Sequence, residues 1–438
     1  MIKILRVLLL LLSWGLACPA AGWTLDNSAG WFDWEYRQEI PGARGRGMGG
    51  ATVALIDDAG AALVNPAGLA AIEQTELVVE ARALQLDERG SGGRVDGAGN
   101  PLQLGVRAEE SDQLHVSHLS LATALGQSKT VLAVFYHRLA VLDRAITLSD
   151  PRDGSVVQKH EPMFAVDEIG AGLAREFWSG TLALGFSGSL ATLNLDSKAA
   201  TGDSSLVPGA AGREFLFLGH QSEQEPIWRL GLLWKPTPDW RIALTQALMP
   251  TIDYKLSTAD STWITADPTA SRCTPAAFSG WVCESTMPIP DYISLGLAYR
   301  VSASLTLAGE IKSIQYSQRT HKFNGIFTTP GVDPVIEVGP GDFAAEDALE
   351  LHLGGEWLGR VMARPLQLRA GYSFDPAHGI RYRGADPTLT ALFDGGEDIH
   401  HATLGLGLPL GSRHRLDMAI DIASDGRRQG FWGLLWRL

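Results

Sequence analysis

Histidine and serine occur together in two short stretches, HVS at residues 115–117 and HLS at residues 118–120. A histidine beside a serine is the combination that nucleophilic hydrolases use, with the imidazole as base for the hydroxyl. Neither stretch is followed by the Asn-Gly expected in a membrane phospholipase. Strand alternation also predicts that His115 and His118 point to opposite faces, and the same holds for His400 and His401. These histidines are therefore predicted to be interfacial or loop residues that bind no metal.

Glycine supplies another chemical motif. Residues 45–50, GRGMGG, satisfy the G-x-G-x-x-G pattern of dinucleotide-binding proteins. That motif requires a buried strand before it and a helix after it, whereas residues 33–41 are polar and interrupted. The sequence contains neither a G-x-S-x-G nucleophile elbow nor an H-E-x-x-H zinc motif. It therefore predicts a protein that is not an enzyme and that uses no cofactor.

Residues 1–22 have the composition of an export signal. Lys3 and Arg6 form a short positive region, residues 4–17 are mostly apolar, and residues 18–22 are small enough for cleavage. The apolar stretch is shorter than the ~18–20 residues that a membrane-spanning helix needs, so a cleaved signal peptide is predicted. Cys18 leaves a lipid-attachment signal as the alternative, although Gly15 stands where such signals usually have leucine.

The mature chain is acidic and keeps two cysteines. Loss of residues 1–22 removes two basic and no acidic residues, so the formal net charge changes from −13 to −15. This charge argues against nucleic acid and against an anionic cytoplasmic membrane surface as partners. Cys273 and Cys283 lie in one predicted loop, where a disulfide would stabilise the fold by about 3 kcal/mol in the loop-closure model. Two free thiols are the alternative.

Alternation of apolar and polar residues, bounded by turn residues, predicts fourteen strands. They fall near residues 76–86, 113–124, 129–147, 162–177, 180–196, 225–236, 238–255, 290–301, 303–319, 346–360, 363–376, 398–410, 412–423 and 429–438.

The predicted connections alternate between short and long, apart from a short last hairpin at residues 424–428. Short turns on one rim and long loops on the other are typical of outer-membrane barrels. A sheet in a bilayer has to close, because every backbone group in hydrocarbon must be hydrogen-bonded. The fold class predicted for residues 76–438 is therefore all-β, a transmembrane antiparallel β-barrel of about fourteen strands. Its last strand ends in Leu438, where such barrels often end in an aromatic residue.

Residues 23–75 are too long for a disordered leader and too rich in glycine and alanine to form a core of their own. A barrel of about fourteen strands has an interior wider than its own side chains can fill. The segment is therefore predicted to be an N-terminal plug, or hatch, inside the lumen.

Three groups of residues in this segment carry a family resemblance: Gly47-Met48-Gly49-Gly50-Ala51, Asp57-Asp58 and Asn65-Pro66-Ala67-Gly68-Leu69. They resemble the N-terminal hatch of the FadL/TodX family of outer-membrane proteins, which admit long-chain fatty acids and other hydrophobic compounds to Gram-negative cells. The resemblance implies that the Asn-Pro-Ala unit lies near an opening in the barrel wall. The acidic pair is expected either to bond Arg44, Arg46 or lumen side chains, or simply to be solvated.

Two further sets of residues are predicted to serve transport. The first would capture ligand in the long loops: Trp263, Ile264, Phe278, Trp281, Phe323, Ile326 and Phe327. The second is polar and falls on the predicted lumen face: Glu310, Lys312, Glu350, His352, Arg369, Asp417 and Asp421. These charges are expected to pair with one another. Lys312 or Arg369 could instead receive a carboxylate head group.

The predicted function is passive transport of hydrophobic small molecules across the outer membrane of a Gram-negative cell. The ligand would be captured by the extracellular loops and released when the hatch moves. The expected partners are this ligand, outer-membrane lipid and lipopolysaccharide, and the barrel assembly machinery during biogenesis; the chain is expected to be monomeric. The alternatives are a non-transporting barrel that serves as a secretion or attachment platform and, more distantly, an outer-membrane lipid hydrolase.

Overall fold

The computed structural model describes residues 41–95, 101–110, 114–126, 129–149, 156–201, 214–219, 224–258, 273–275, 281–320, 325–327, 336–338, 342–361, 364–384, 395 and 398–438. Side chains are described for residues 41–84, 114–126, 129–141, 165–194, 224–253, 288–320, 342–360, 364–384, 395 and 398–438. The predicted signal peptide and residues 23–40 of the predicted hatch lie outside these ranges.

The described strands are, in chain order, β1 (Glu76–Val95), β2 (Pro101–Glu110), β3 (His115–Ala124), β4 (Thr130–Ser149), β5 (Val156–Phe177), β6 (Leu182–Thr201), β7 (Glu214–Gly219), β8 (Glu225–Trp234), β9 (Trp240–Leu248), β10 (Thr251–Thr258), β11 (Cys273–Pro275), β12 (Trp281–Pro288), β13 (Tyr292–Arg300), β14 (Leu305–Ile314), β15 (Gly325–Phe327), β16 (Ile336–Val338), β17 (Phe343–Ala344), β18 (Ala348–Val361), β19 (Arg364–Asp375), β20 (Arg381–Tyr382), β21 (Ile399–Leu410), β22 (His414–Ala423) and β23 (Arg428–Arg437).

The described helices are short: α1 (Ala43–Gly47), α2 (Ala61–Val64) and the 3-10 helices Pro66–Ala71, Trp178–Gly180 and Tyr316–Thr320. No helix in the described part of the chain is long and apolar enough to cross a membrane.

Fourteen of the described strands close into an antiparallel barrel. Their order around the barrel is β1, β3, β4, β5, β6, β8, β9, β13, β14, β18, β19, β21, β22 and β23. The last strand returns to the first, with Glu76 opposite Arg437 and Gln85 opposite Arg428. Each of these strands therefore has a neighbour on both sides, as a closed sheet in hydrocarbon requires. The predicted barrel fold is confirmed.

Each barrel strand has an apolar outer face and a buried inner face. On β23, Trp432, Leu434 and Trp436 are each 42% exposed, whereas Phe431 and Leu435, at alternate positions, are buried. Exposed aromatic side chains gather at the rim with the short turns: Trp178, Trp234, Trp240, Tyr299 and Trp436. An aromatic girdle beside an apolar band is typical of membrane barrels.

Two predicted strands end earlier than expected. The stretch 238–255 forms two successive strands, β9 and β10. Pro250 lies between them and has no N–H to donate to a ladder. The Met249 amide donates instead to Asp291 Oδ1 at 2.6 Å. The stretch 303–319 ends as a strand at Ile314 and continues as the 3-10 helix Tyr316–Thr320.

The predicted long loops contain much strand. β1 continues to Val95 and pairs with β2, and the distal parts of β4, β5 and β6 pair in the same manner. Some of the residues concerned, such as DERGSGG at 87–93, carry no apolar alternation, whereas β2 does alternate, with Leu102, Leu104 and Val106 at every second position. The polar stretch of β1 lacks the alternation that predicted the other strands, so its pairing was not predicted.

The prediction that His115 and His118 point to opposite faces is wrong. The pairing of β1 with β3 shifts register between Glu80 and Ala81, so that Glu80 lies opposite His118 and Arg82 lies opposite His115. Ser117 is the extra residue of a β-bulge. The bulge brings both histidines to the inner side of the wall. His400 and His401 do lie on opposite faces: His400 contacts Tyr372 outside, and His401 contacts Asp421 inside.

Candidate functional site

Residues 41–75, the described part of the predicted hatch and called the hatch below, lie against the inner faces of strands on opposite sides of the barrel. Helix α1 contacts β19, β21, β22 and β23, whereas the 3-10 helix Pro66–Ala71 contacts β4, β5, β6 and β8. Leu63, Leu69 and Ile72 pack with inward side chains of the wall, among them Val131 and Phe135. The small residues that cannot form a core alone thus share one with the barrel.

Glycine lets the hatch backbone touch the barrel backbone on the α1 side. A Cβ on Gly47 would lie 2.8 Å from the Cα of Gly405, and one on Gly371 would lie 2.0 Å from the amide nitrogen of Gly49. Gly49 also has φ +65°, a region that disfavours other residues. A Cβ on Gly354 would lie 2.3 Å from the carbonyl oxygen of Met48. The GMGG motif is therefore half of a contact whose other half is glycine in the wall. Gly50 and Gly68 instead serve folding within the hatch.

The Asn-Pro-Ala unit makes the corresponding contact on the other side. A Cβ on Gly185 would lie 2.1 Å from the Pro66 carbonyl carbon, and one on Gly231 would lie 2.1 Å from Asn65 Oδ1. Asn65 Nδ2 donates to the carbonyls of Val53, at 2.9 Å, and Leu232, at 3.3 Å, and its Oδ1 accepts from the Ala67 amide at 3.1 Å. The Asn65 side chain thus caps the 3-10 helix Pro66–Ala71 and bonds to both the hatch backbone and the wall backbone.

The wall beside the Asn-Pro-Ala unit is continuous, which differs from what the resemblance implied. Pairs between β5 and β6 run unbroken over residues 158–177, and pairs between β6 and β8 run unbroken over residues 182–191. The described pairs are interrupted elsewhere, on β6, where residues 192–195 pair only with β5, and on β4. Residues 131–137 of β4 pair with β3 and residues 144–149 pair with β2, whereas between them the described pairs of β4 involve only β5.

Carboxylates of the wall accept backbone N–H groups of the hatch. Glu80 accepts from the amides of Gly42, at 3.2 Å, and Ala43, at the start of α1. Glu310 Oε2 accepts from the amides of Thr52 and Val53 at 3.0 and 3.1 Å. A carboxylate bound by N–H donors forms strong, charge-assisted hydrogen bonds. These two acidic residues therefore hold the hatch by its backbone, and only Glu310 was among the predicted site residues.

Ion pairs join the hatch to β18. Arg44 contacts Asp57 within the hatch at 2.6 Å and Glu356 of the wall at 3.0 Å. Burial alone would raise the pKa of Asp57, but Arg44, Arg415 and Arg241 outweigh it and lower that pKa. Burial would lower the pKa of Arg44, but Asp57 and Glu356 raise it well above its ordinary value. Both hatch residues are therefore charged near neutral pH.

A second group of ion pairs joins the hatch to β22. Asp58 Oδ2 lies 3.0 Å from Arg415, which also contacts Asp417 at 2.6 Å. Arg46 lies 3.3 Å from Asp421 and 5.3 Å from the ring of Phe431. The structure thus brings the acidic pair and both predicted arginines of the hatch into contact with lumen side chains.

The seven predicted lumen residues all lie on the inner face and are buried. Arg369 is fully engaged: Nε donates to Glu356 and Nη1 to Asp417, both at 2.7 Å, and Nη2 donates to Gln367 at 2.5 Å. In this arrangement it offers no free edge to a ligand carboxylate. Lys312 is held more loosely, 3.8 Å from Glu350 and 4.6 Å from the ring centre of Tyr292.

His352 connects the Lys312 side of the lumen to the hatch. Its Nδ1 lies 2.8 Å from the Gly49 carbonyl oxygen, and its Nε2 lies 3.2 Å from Glu350. On the hatch side, the Gly49 amide donates to Thr403 Oγ1 at 3.0 Å. The charged lumen residues are thus partly paired with one another and partly bonded to the hatch.

Sequence reasoning missed a buried polar cluster on β4, β5, β6 and β8. Glu168 is fully buried and accepts two hydrogen bonds from Arg229, at 2.8 and 2.9 Å. It also lies 3.0 Å from His137 Nδ1 and 2.5 Å from Ser189 Oγ. Each member occupies an inward position of its strand, so strand alternation could have found the set.

The predicted loop residues fall largely outside the described side chains. Trp263, Ile264, Phe278 and Phe323 lie outside the described residues, and Trp281, Ile326 and Phe327 are described only as parts of β12 and β15. Ligand capture by these seven residues stays a prediction. Cys273 on β11 and Cys283 on β12 are direct cross-strand partners. Their disulfide also stays a prediction, since their side chains are not described.

Gly354→Ala is expected to destabilise the protein, and Gly355→Ala is not. The first Cβ would enter the contact with Met48, and overpacking of this kind costs about 1–3 kcal/mol. The second would point outward and meet Leu307 Cδ2 at 3.4 Å. Chemical unfolding in detergent compares these neighbours on one strand. Equal stabilities of the two variants would show that the hatch does not contact the wall at Gly354.

Sequence comparison and structural comparison give different outcomes. No protein-family model and no curated protein matches the sequence. Among solved structures, the P. putida toluene transporter TodX is similar with a TM-score of 0.61 at 15% identity, over 92% of this chain and 99% of that chain. A Pseudomonas aeruginosa FadL homologue is similar with a TM-score of 0.59 at 14% identity, over 95% and 99%.

The Ralstonia pickettii toluene transporter TbuX is similar to the same degree, with a TM-score of 0.59 at 14% identity over 92% of this chain and 99% of that chain. At these identities the likeness shows the fold. This chain is a fourteen-stranded barrel with the fold of the FadL homologue and of the toluene transporters TodX and TbuX, as the resemblance of its N-terminal residues predicted.

Proposed function

We propose that this protein lets hydrophobic small molecules cross the outer membrane passively, and that its N-terminal hatch blocks the bore until it moves. The contact of hatch glycines with wall glycines carries the proposal. A segment held by close backbone contacts and by ion pairs to several strands fills space that fourteen strands leave open. The apolar outer face and aromatic girdle support a position in a membrane.

A dry route suits this class of solute. Burial of each methylene is favourable by about 0.8 kcal/mol, so a long alkyl chain gains nothing from a water-filled pore. It needs apolar surroundings that begin outside the polar saccharide layer, and a step that weakens the site so that the ligand can leave. Capture by the long loops supplies the first requirement, and displacement of the hatch supplies the second.

The exit is proposed to lead sideways through the wall at β4. The pairing of β4 with β2 and β3 is interrupted between Arg138 and Asp143, whereas the pairing of β4 with β5 continues there. An apolar ligand that left at this interruption would pass directly into lipid. Because the wall beside the Asn-Pro-Ala unit is continuous, we propose that this part of the hatch serves as an anchor.

Uptake of labelled toluene and labelled long-chain fatty acid by cells that express this chain tests the proposal. We expect faster uptake of at least one of them than in cells without it. Lys312→Ala is expected to slow fatty acid uptake and leave toluene uptake unchanged if its ammonium receives the carboxylate. Arg364→Ala, at an exposed position, is the matched control. Unchanged uptake of both compounds on expression, together with a stoichiometric exported protein that co-purifies, would favour an attachment or secretion platform instead.

A further inference from the structure

The rim of the barrel that carries the short turns is basic, although the chain as a whole is acidic. Its turns with the adjoining strand ends and the end of the hatch are residues 73–76, 125–129, 175–181, 234–240, 299–304, 358–365, 410–413 and 436–438. They contain eight basic side chains, Lys129, Arg175, Lys235, Arg300, Arg360, Arg364, Arg413 and Arg437, and four acidic ones, Glu73, Glu76, Glu176 and Asp239. The whole chain has 36 basic and 49 acidic residues. This rim therefore has the opposite charge to the rest of the protein.

Two of the acidic side chains are already paired on the rim. Glu76 contacts Arg437 at 2.8 Å, and Glu176 contacts Lys235 at 3.7 Å. The other basic side chains of the rim are exposed and form no ion pair with a described residue: Lys129, Arg175, Arg300, Arg360, Arg364 and Arg413. The positive charge of the rim is thus available to an anionic partner.

Two of these cations lie side by side at one corner of the rim, where the β3–β4 turn adjoins the end of β5. Thr130, which follows Lys129, is the cross-strand partner of Arg175, and the Glu176 amide donates to the Lys129 carbonyl oxygen at 3.3 Å. The Arg175 guanidinium lies 5.8 Å from the centre of the exposed Phe177 ring. Because Glu176 is already paired, the corner presents two positive charges without an acidic neighbour.

The same corner carries the most exposed aromatic side chain in the described part of the chain. Trp178 is 74% exposed, whereas the other exposed aromatic residues of this rim are 38–43% exposed. Lys129, Trp178 and Ser179 have φ of +53°, +52° and +58°, and no other described non-glycine residue has a positive φ. This backbone region disfavours side chains, and such residues concentrate at binding sites. Both turns thus hold unfavourable conformations that display Lys129 and Trp178 at the rim.

We propose that this corner, formed by Lys129, Arg175, Phe177 and Trp178, binds the head group of an anionic glycerophospholipid in the inner leaflet of the outer membrane. Short turns of outer-membrane barrels face the periplasm, so the lipid beside this rim is glycerophospholipid and not lipopolysaccharide. The ammonium and guanidinium groups would receive the phosphate through charge-assisted hydrogen bonds. The two aromatic rings would lie at the boundary between head groups and acyl chains, where such rings are favoured.

The aromatic residues favour lipid over an acidic soluble protein as the partner. Trp178 belongs to the girdle that includes Trp234 and Trp240, and such girdles lie at the membrane interface. The adjacent basic side chains therefore lie at the level of the lipid head groups. A zwitterionic head group would bring its own ammonium beside Lys129 and Arg175, so an anionic lipid fits the corner better.

Native mass spectrometry of the full chain tests the site with two lipids that have the same acyl chains, phosphatidylglycerol and phosphatidylethanolamine. The purified protein is released from mixed micelles that contain one lipid or the other. We expect phosphatidylglycerol to be bound at least tenfold more tightly, a difference of about 1.4 kcal/mol. Equal binding of the two lipids would overturn the assignment, even if the corner bound an acidic exported protein instead.

Two pairs of substitutions locate the binding. Lys129→Gln with Arg175→Gln is expected to remove the preference, since each basic side chain beside an anionic lipid contributes about fivefold. Arg364→Gln with Arg413→Gln removes the same charge from another part of the rim and should keep the preference. All four side chains are exposed, and unfolding in guanidinium verifies that both double variants are as stable as the native protein. An equal loss of preference in the two double variants would show a diffuse attraction of the whole rim and refute the site.

This inference goes beyond the proposed function and shares with it only the position in a membrane. Uptake of toluene or fatty acid by cells, without a lipid preference of the purified protein, would refute the lipid site and leave transport standing. A preference that depends on Lys129 and Arg175, without uptake, would refute transport and leave the lipid site.

Discussion

Replacing Arg369 by alanine is expected to lower the free energy of unfolding by about 3–5 kcal/mol, because it removes the buried cation that Glu356 and Asp417 share and leaves each with one guanidinium partner, Arg44 or Arg415. The Arg369 side chain is fully buried and bonds Glu356 and Asp417 at 2.7 Å each. Without the guanidinium between them, the carboxylates of Glu356 and Asp417 would lie near each other inside the barrel. The same network continues through Glu356 to Arg44, so the hatch should loosen together with the wall.

Unfolding by guanidinium in detergent, followed by tryptophan fluorescence, measures this effect. Arg364→Ala on the same strand is the control and should change stability by less than about 0.5 kcal/mol, as exposed substitutions usually do. Arg369→Met combined with Glu356→Gln and Asp417→Asn should recover much of the lost stability, since no unpaired charge remains. Similar stability of Arg369→Ala and Arg364→Ala would contradict the account of this network.

The inward placement of Arg369 and Asp417 was predictable because the face of a strand residue depends only on odd or even position. Alternation likewise accounts for the shared outer face of Trp432, Leu434 and Trp436. Both follow from a signal carried within a few neighbouring residues. The sequence alone therefore predicted the barrel, the approximate strand number and the inner position of the charged residues.

The partners of these residues were not predictable in the same way. Arg369 meets Asp417 across β21 over Gly407, and the register that brings them together is set by strand pairing that no local pattern records. Glu80 was missed because its role depends on where the hatch backbone lies. The inward position of His115 depends on a bulge of one residue, and such a slip reverses the faces that alternation predicts.

Fixing the hatch to the wall is expected to stop transport. A Cβ on Gly433 would lie 3.5 Å from the Cβ of Ala43, and one on Gly172 would lie 3.4 Å from the Cβ of Ala62. These separations are close to the ~3.5–4.5 Å of a disulfide. Ala43→Cys with Gly433→Cys would tether the α1 side, and Ala62→Cys with Gly172→Cys would tether the side of the Asn-Pro-Ala unit. Cys273→Ser and Cys283→Ser remove the native thiols from the background.

Each single tether distinguishes which part of the hatch moves. If the Asn-Pro-Ala side is an anchor, the Ala62 tether should affect uptake less than the Ala43 tether. Variants with only one cysteine of each pair control for the substitutions themselves, because both new side chains enter tight contacts.

Uptake of labelled toluene and fatty acid by cells with both tethers, before and after a phosphine reductant, tests most directly whether the hatch gates the bore. The account predicts at least a tenfold fall in uptake in the oxidised state, a difference of about 1.4 kcal/mol in the barrier, and recovery on reduction. Unchanged uptake in the oxidised state, with both disulfides verified by mass spectrometry, would contradict it.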